Sequence, residues 1–411
     1  MKQISRGMSA LTRLSMLALV LAPLSVARSQ EQGDVESREE QAFKQATALV
    51  APSMVKIETV GGLDRVGQML VGTGPTTGVV VSRDGYIISS SFNFIAKPAS
   101  ILVSLPDGRR LPAEQVANDK VKMLTLLKVD ADNLVPATAA STESFRVGQW
   151  SIALGRTFDD GTGQPSVSVG IVSALKRVWG KAIQTDAKVS PVNYGGPLVD
   201  VEGRVLGILV PLSPQAGGEV AGVEWYDGGI GFAIPLADVY AAIPRLKEGK
   251  DLFPGLMGVT LKARDMYADA PEIDRVRYGG PAQQAGIKEK DVVVELDGKK
   301  IERQVQIQHV MGNKYADEKV TLRVKRGDEF VSRELTLTDK LVPYESAFLG
   351  ILPERDAAGS KPATGAGVRF VIPDSPAEKA GLKRGDRIVR LGDADVADAA
   401  ALLDLVSRRR P

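Results

Sequence analysis

Hydrolysis of a peptide bond by a serine hydroxyl needs three groups in reach of one another. A hydroxyl attacks, an imidazole takes its proton, and a carboxylate orients the imidazole. The sequence has one histidine, His309, and no cysteine. A thiol nucleophile, a disulfide and a thiolate metal site are therefore excluded. So is a zinc site built on several imidazoles, and carboxylates alone make a poor one. No motif calls for a cofactor. The serines that draw notice are Ser89, Ser90 and Ser91 in one run, and Ser190 two residues from Lys188. A Ser-Lys dyad is known chemistry, but serines in such runs read more simply as turn caps and strand liners. His309 falls near the end of a helical stretch, Gln304 to Met311, and reads as a solvent-facing residue by a helix C-terminus.

The elements around these residues are short and regularly spaced. Gly78 to Val81 and Tyr86 to Ser89 flank Arg83-Asp84-Gly85, a hairpin signal. Ile101 to Leu105 and Leu111 to Val116 flank Pro106-Asp107-Gly108 in the same way. Leu124 to Val129, Val147 to Leu154 and Val167 to Ala174 continue the series, with Gly61 to Gly74 read as a loop. Short strands punctuated by turn residues predict a mainly β barrel or sandwich. A final strand over 227–234 feeds a helix, Pro235 to Leu246. The centre of this half is 184–208, an apolar run, a Gly/Pro-rich turn, and a second apolar run.

A repeat follows. Pro281-Ala282-Gln283-Gln284-Ala285-Gly286-Ile287-Lys288 is echoed by Pro376-Ala377-Glu378-Lys379-Ala380-Gly381-Leu382-Lys383, with an aspartate next in each copy, Asp291 and Asp386. Proline starts a short helix, glycine ends it, and the aspartate opens a strand. Two copies mean two tandem modules rather than a solenoid. The second copy reaches its helix, Ala399 to Val406, and then Arg408-Arg409-Arg410-Pro411; it reads as partial, a truncation or a remnant.

The turn Val192-Asn193-Tyr194-Gly195-Gly196-Pro197-Leu198 resembles the GNSGGPL turn that carries the nucleophile of trypsin-like serine proteases, and the residues after it resemble the HtrA/Deg family. The repeat resembles the PDZ domains of the same family. The resemblance implies a trypsin-like double β-barrel followed by two PDZ (α+β) modules, the second incomplete. The divisions expected are a signal peptide over 1–27, a flexible tail over 28–41, the barrels over 42–250, a first PDZ over 254–340, and a partial second PDZ over 341–411. The family pattern also places its triad on this sequence. Phe92 stands where the histidine belongs, Met123 where the aspartate belongs, and Tyr194 where the serine belongs. Val192 replaces the glycine of the oxyanion turn, beside Asn193. By the same resemblance Leu256-Met257-Gly258-Val259 and Phe348-Leu349-Gly350-Ile351 are carboxylate-binding loops, where backbone N–H groups capture a peptide's C-terminus while its backbone adds a strand to the sheet edge.

Composition bounds the rest. The chain has 411 residues, 44% apolar and 25% charged, with a formal net charge of +2. Nothing in that balance argues for nucleic-acid binding, and the Arg408–Arg410 run reads as solvated charge at a helix end. Lys2, Arg6 and Arg13, the apolar run Leu14 to Val26, and Ser25-Val26-Ala27 form an export signal, leaving no transmembrane span once it is cleaved. The expected protein is thus a non-catalytic, exported HtrA-like protein, periplasmic or envelope-associated. It binds polypeptides through its first PDZ and acts in protein quality control. It forms homo-oligomers or assembles with active relatives. The alternatives are a serine endopeptidase with a displaced nucleophile and a structural envelope protein.

Overall fold

The computed structural model describes residues 35–407 and 409, apart from 64, 67–68, 71–73, 157–163, 213–228, 263–264, 343–346 and 355–363. The expected signal peptide lies outside the described residues. Among those residues no helix is long and apolar enough to cross a membrane.

Six strands close the first barrel: β1 (Met54–Val60), β2 (Thr76–Val80), β3 (Tyr86–Ser90), β4 (Ser100–Ser104), β5 (Arg110–Asp119) and β6 (Leu124–Val129), in the order β1-β2-β3-β6-β5-β4. Six more close the second: β7 (Trp150–Gly155), β8 (Ser166–Lys176), β9 (Ala182–Thr185), β10 (Pro197–Val199), β11 (Val205–Leu209) and β12 (Gly231–Pro235), in the order β8-β9-β12-β11-β10-β7. Every pairing in both is antiparallel. The hairpins fall where the turn residues put them. Gly85 takes φ +90°, and a Cβ there would lie 2.2 Å from the Val129 carbonyl oxygen, so the Asp84-Gly85 turn admits no side chain at its second residue. The stretch 61–74, expected as a loop, contains a small ribbon, Arg65–Val66 against Met69–Leu70.

Because successive strand residues point to opposite faces, the apolar runs serve two cores at once. Val55, Ile57, Ile87 and Leu127 fill the first barrel. Ile183, Leu198, Leu206 and Leu209 fill the second. Met54, Ile88, Leu126, Ile152, Leu154 and Ile208 belong to a larger cluster that also takes in Leu236, Val239 and Leu246 of the helix Leu236–Leu246. The tail expected over 28–41 is helical from residue 35, in a helix over 35–50. Phe43, Ala46 and Val50 dock it on the barrels, with Phe43 edge-on to Trp150 at 5.5 Å, and an exposed Glu40–Lys44 pair one turn apart extends it past that stripe.

The first PDZ module has a two-stranded sheet, Val259–Leu261 with Ile273–Val276, and a four-stranded one in which Lys299–Lys300, Val292–Leu296, Lys319–Arg326 and Glu329–Thr336 are neighbours in that order. The helix Gln304–Met311 packs Ile307 and Val310 into its core. Barrels and first PDZ form one compact unit, the described residues up to 276 with 280–340. Residues 341–411 with 277–279 form a second. That second unit holds Ile351–Pro353, Ala366–Val371, the helix Ala399–Ser407, and a small core of Ala366, Val368, Ile388, Val396 and Leu402.

The repeat has the same local construction in both units. Pro281 and Pro376 open four-residue helices, Gly286 (φ +76°) and Gly381 (φ +84°) end them, and the aspartate carboxylates accept the Lys288 and Lys383 N–H at 2.8 Å. Asp291 has one partner more. It is 1% exposed and receives a two-pronged fork from Arg326, both contacts at 2.8 Å. Burial alone would raise its carboxyl; the Arg326 fork and the Lys288 N–H outweigh that and hold it below its ordinary value. A carboxyl lowered by folding stabilises the native state above its unfolded pKa and loses that contribution as the pH falls. Resistance of the first PDZ to urea should therefore fall on acidification between about pH 5 and pH 2. Asp291→Asn should flatten that dependence, and at neutral pH Asp291→Ala should cost about 2–3 kcal/mol.

Candidate functional site

The turn at the centre of the sequence is a 3₁₀ turn, Pro191–Asn193, entering β10. Three of its backbone N–H groups find acceptors within it. Asn193 N–H donates to Ser190 O at 2.9 Å, Tyr194 N–H to Pro191 O at 3.2 Å, and Gly196 N–H to Asn193 O at 2.8 Å. The Asn193 side chain closes it from below, its Oδ1 accepting from the Ser190 N–H at 3.2 Å and hydroxyl at 3.1 Å.

The first barrel fixes this turn from the other side. Tyr194 O accepts from Thr76 Oγ1 and from Asn93 Nδ2, both at 2.9 Å. Val192 O accepts from Thr77 Oγ1 at 3.0 Å. Asn93 Nδ2 also donates to Ser89 Oγ at 3.1 Å, and Ser89 Oγ donates to Thr77 O at 2.7 Å. Gly195 sits in the middle with φ +87°.

Two of the three positions singled out by the family pattern meet as side chains. Phe92 lies on a 3₁₀ turn after β3, and its ring meets Tyr194 edge-on, centroids 5.5 Å apart at 81°, an arrangement aromatic quadrupoles favour. Tyr194 is 6% exposed. Met123 is joined to this group through its backbone. Its carbonyl accepts from Ser91 N–H at 2.9 Å and Ser90 Oγ at 3.5 Å, while its side chain is buried in the large cluster with Leu124 and Leu126. Met123 takes φ +56°, unusual for a non-glycine residue. The turn before it is held by Asp119, whose Oδ1 accepts the Val121 and Lys122 N–H at 2.9 and 3.0 Å.

Three of the other candidate nucleophiles are engaged with acceptors. Ser89, Ser90 and Ser190 donate to Thr77 O, Met123 O and Asn193 Oδ1. Ser91 is buried and Lys188 is exposed. His309 is exposed in the last turn of Gln304–Met311, beside Gly180: a Cβ on Gly180 would lie 3.1 Å from His309 O and 3.4 Å from Nε2.

In the first PDZ, Gly258 takes φ +77°. Leu256 exchanges hydrogen bonds with Thr338, and Met257 O accepts from Ala282 N–H at 2.9 Å. In the second, Gly350 takes φ +83° and Leu349 O accepts from Ala377 N–H, also at 2.9 Å. Phe348 is 59% exposed, and Ile351 opens the edge strand Ile351–Pro353. The left-handed glycine turns the loop after its preceding carbonyl is tied to the short helix. Both loops therefore have the same geometry.

Sequence reasoning passed over Thr76, Thr77 and Asn93, which hold the central turn. Their partners are about a hundred residues away, and hydroxyl and amide side chains in strands carry no signal of their own. It also passed over Asp119.

Comparison with known proteins agrees with this architecture. Residues 76–208 match the trypsin-like peptidase domain, and residues 255–337 and 367–410 each match a PDZ domain. A probable periplasmic serine endoprotease, DegP-like, of Halomonas elongata is 32% identical over 359 residues, covering 80% of this chain and 73% of that protein. Proteins with the same description from Hahella chejuensis and Chlamydia muridarum are 29% and 28% identical, with 75% and 64% of their lengths covered. Among solved structures, the serine endoprotease of Yersinia pestis aligns with TM-score 0.54 at 25% identity, covering 72% of this chain and 98% of that one. The HtrA-type protease AlgW with a tripeptide aligns with TM-score 0.57 at 26% identity, covering 73% and 98%. This chain belongs to the DegP-like family, the HtrA-type proteins that join a trypsin-like barrel pair to PDZ domains.

The central turn leaves no room at Gly195. A Cβ there would lie 2.1 Å from Ser89 Oγ and 2.4 Å from Thr77 O. Gly195→Ala combines that clash with a left-handed backbone, and is expected to destabilise the barrels by about 2–4 kcal/mol in urea unfolding. Gly108→Ala, also at positive φ but with nothing within 4 Å, should cost only the backbone strain, about 1–2 kcal/mol.

Proposed function

We propose that this chain is a non-catalytic DegP-like PDZ protein that binds polypeptides, exposed C-termini among them, outside the cytoplasm. The observation that carries the reading is the state of the Tyr194 turn. The residue at the nucleophile position is a phenol packed edge-on against Phe92, and its N–H is already spent on Pro191 O. An oxyanion donor is worth roughly 10²–10³ in rate and a positioned base roughly 10²–10⁴. The turn supports the loss of both. The sole imidazole in the sequence, His309, belongs to a PDZ helix. Removing the chemistry leaves the binding modules, and the two glycine-turned loops support a role in capturing a terminal carboxylate. Among the described residues neither the Met257 nor the Gly258 N–H has an acceptor within the chain, which suits such a ligand.

Export is supported by the basic, apolar and small-residue order of residues 1–27 and by the periplasmic naming of the relatives. In that compartment the protein holds unfolded chains, or assembles with copies of itself or with active relatives and modulates them. Peptide capture is the property common to these roles.

Two measurements on purified protein test the reading. With an unfolded casein-like substrate and a serine-directed phosphonate, neither cleavage nor covalent labelling is expected; hydrolysis abolished by changing one serine would restore the displaced-nucleophile enzyme. On an array of C-terminal peptides, binding is expected with free carboxylates and not with amidated ends. Gly258→Asp, which places an anion in the loop, should weaken it at least about tenfold. An array on which nothing binds would leave a structural envelope protein as the better description.

A further inference from the structure

Among the described residues, three buried side-chain acceptors have no hydrogen-bonding partner: Gln304 Oε1, Gln308 Oε1 and Asn313 Oδ1. All lie on the first PDZ helix, Gln304–Met311, or just after it. Asn313 is held against the barrel turn, its Nδ2 donating to Gly180 O at 3.0 Å. Gln306, between the other two, is engaged as a cap, its Oε1 accepting the Glu302 and Arg303 N–H at 2.7 and 2.8 Å. A closed-off acceptor without a donor costs the hydration it has lost, and native proteins carry few of them. Gln304 and Gln308 are two on successive turns of one helix.

The helix has one face in the core, Ile307 and Val310, with Met311 packed at its margin. At about 100° per residue, Gln304 and Gln308 fall on the Met311 side of that face and Gln306 on the other. Both ends of the helix are tied to one strand, Val259–Leu261. Met266 O, in the turn after the strand, accepts the Val305 N–H at 3.0 Å. Met257, just before the strand, belongs to the cluster on which Val259, Leu261 and Met311 pack. The helix thus runs back along the strand and ends towards the Leu256–Val259 loop. Among the described residues the strand is paired on one side only, with Ile273–Val276. A peptide held by its carboxylate in the loop and extended along the free edge passes Gln308 first and Gln304 next. These two are about 6 Å apart along the helix axis. Alternate residues of an extended peptide share a face and are about 6.6 Å apart, so the two spacings match.

Given the peptide capture proposed above, on which this rests, we infer that Gln304 and Gln308 set the specificity of the first PDZ. Its ligands are carboxyl-terminal segments with hydrogen-bond donors at two alternate positions, carried on hydroxyl, amide or ammonium side chains. Both glutamines are half-buried as residues, so rotation about their own torsions turns the oxygens towards a ligand. A side chain that donates relieves an acceptor left unmet in the free protein, and gains more than an exposed hydrogen bond would. An apolar side chain of the same shape leaves the acceptor shut in and is rejected. The glycine-turned loop recognises that a chain ends there; the two amides recognise what the end carries.

Titration calorimetry of the full chain with a series of peptides tests this. The starting peptide has a free carboxylate and threonine at successive positions before its last residue; each threonine in turn becomes valine, equal in shape but without the hydroxyl. Two positions, two residues apart, should each lose about tenfold in affinity, and the others little. The loss at the position nearer the carboxylate should vanish in Gln308→Met, and the loss at the farther one in Gln304→Met. Gln308→Glu keeps the acceptors and drops the amide N–H, and should retain the preference for threonine. Without peptide, both methionine variants should have a higher urea midpoint, because each removes an unmet acceptor from a closed site. The valine series on the unaltered chain stands by itself if a variant does not fold. Valine tolerated at every position, losses that persist in the methionine variants, or a lower midpoint in both would overturn the assignment. Failure of every peptide to bind, with free or amidated ends, would instead sink the capture reading, and this assignment with it.

Discussion

Ile87 and Ile88 are adjacent in β3 and both are 0% exposed, yet they belong to different cores. Leu126 and Leu127 opposite them behave alike. A strand buried on both faces can neither slip in register nor leave its sheet without exposing one apolar set or the other. That two-sided burial is the constraint on which the rest depends. It fixes the ends of β2, β3, β6 and β10, and the residues at those ends make the central site. Thr76 and Thr77 at the start of β2, Ser89 and Ser90 at the end of β3, and the turn entering β10 have no freedom to rearrange independently.

Within that frame the central turn is a polar network with its groups matched. Tyr194 O has two donors, Val192 O has one, and Ser89 Oγ both gives and accepts. Such networks specify one arrangement strongly when every member is satisfied. The aromatic pair of Phe92 and Tyr194 covers it. A catalytic centre needs N–H groups held out for an oxyanion and a hydroxyl free to attack; here the Tyr194 N–H donates to Pro191 O, and Ser89, Ser90 and Ser190 donate to acceptors within the chain. The strands close the two barrels of a trypsin-like fold, and the turn entering β10 is bonded across to the first of them.

Asp119 ties this region to the PDZ. One of its oxygens builds the turn that presents Met123; the other receives Tyr315. Through one carboxylate the barrel's inner turn and Tyr315 of the first PDZ share a hydrogen-bonding partner. The second PDZ has no equivalent of the Arg326 fork at Asp386 among the described residues, and its core is smaller.

Much of this could be read from the chain before any coordinates. Strand alternation, the Asp84-Gly85 and Asp107-Gly108 turns, and the proline-to-glycine helices of the repeat are local. A turn needs its glycine within two residues, and a short helix needs its cap within four. The scarcity of imidazole is equally legible, since one histidine in 411 residues is a count. The sequence by itself therefore determined the barrel-and-PDZ architecture and the identities of the residues at the central turn. Tertiary structure decided what those residues do. That Phe92 reaches Tyr194 while Met123 contributes its carbonyl, that Thr76 and Asn93 share one acceptor, and that Tyr315 finds Asp119 all depend on side chains separated by tens to nearly two hundred residues. Such pairs have no periodicity to betray them, because they exist only where closed barrels and the bridges at Leu252 and Pro254 bring distant backbone within hydrogen-bonding distance. The helix beginning at residue 35 is the opposite case: a polar stretch without a sequence signal is ordered because its neighbour, Phe43, has a surface to dock on.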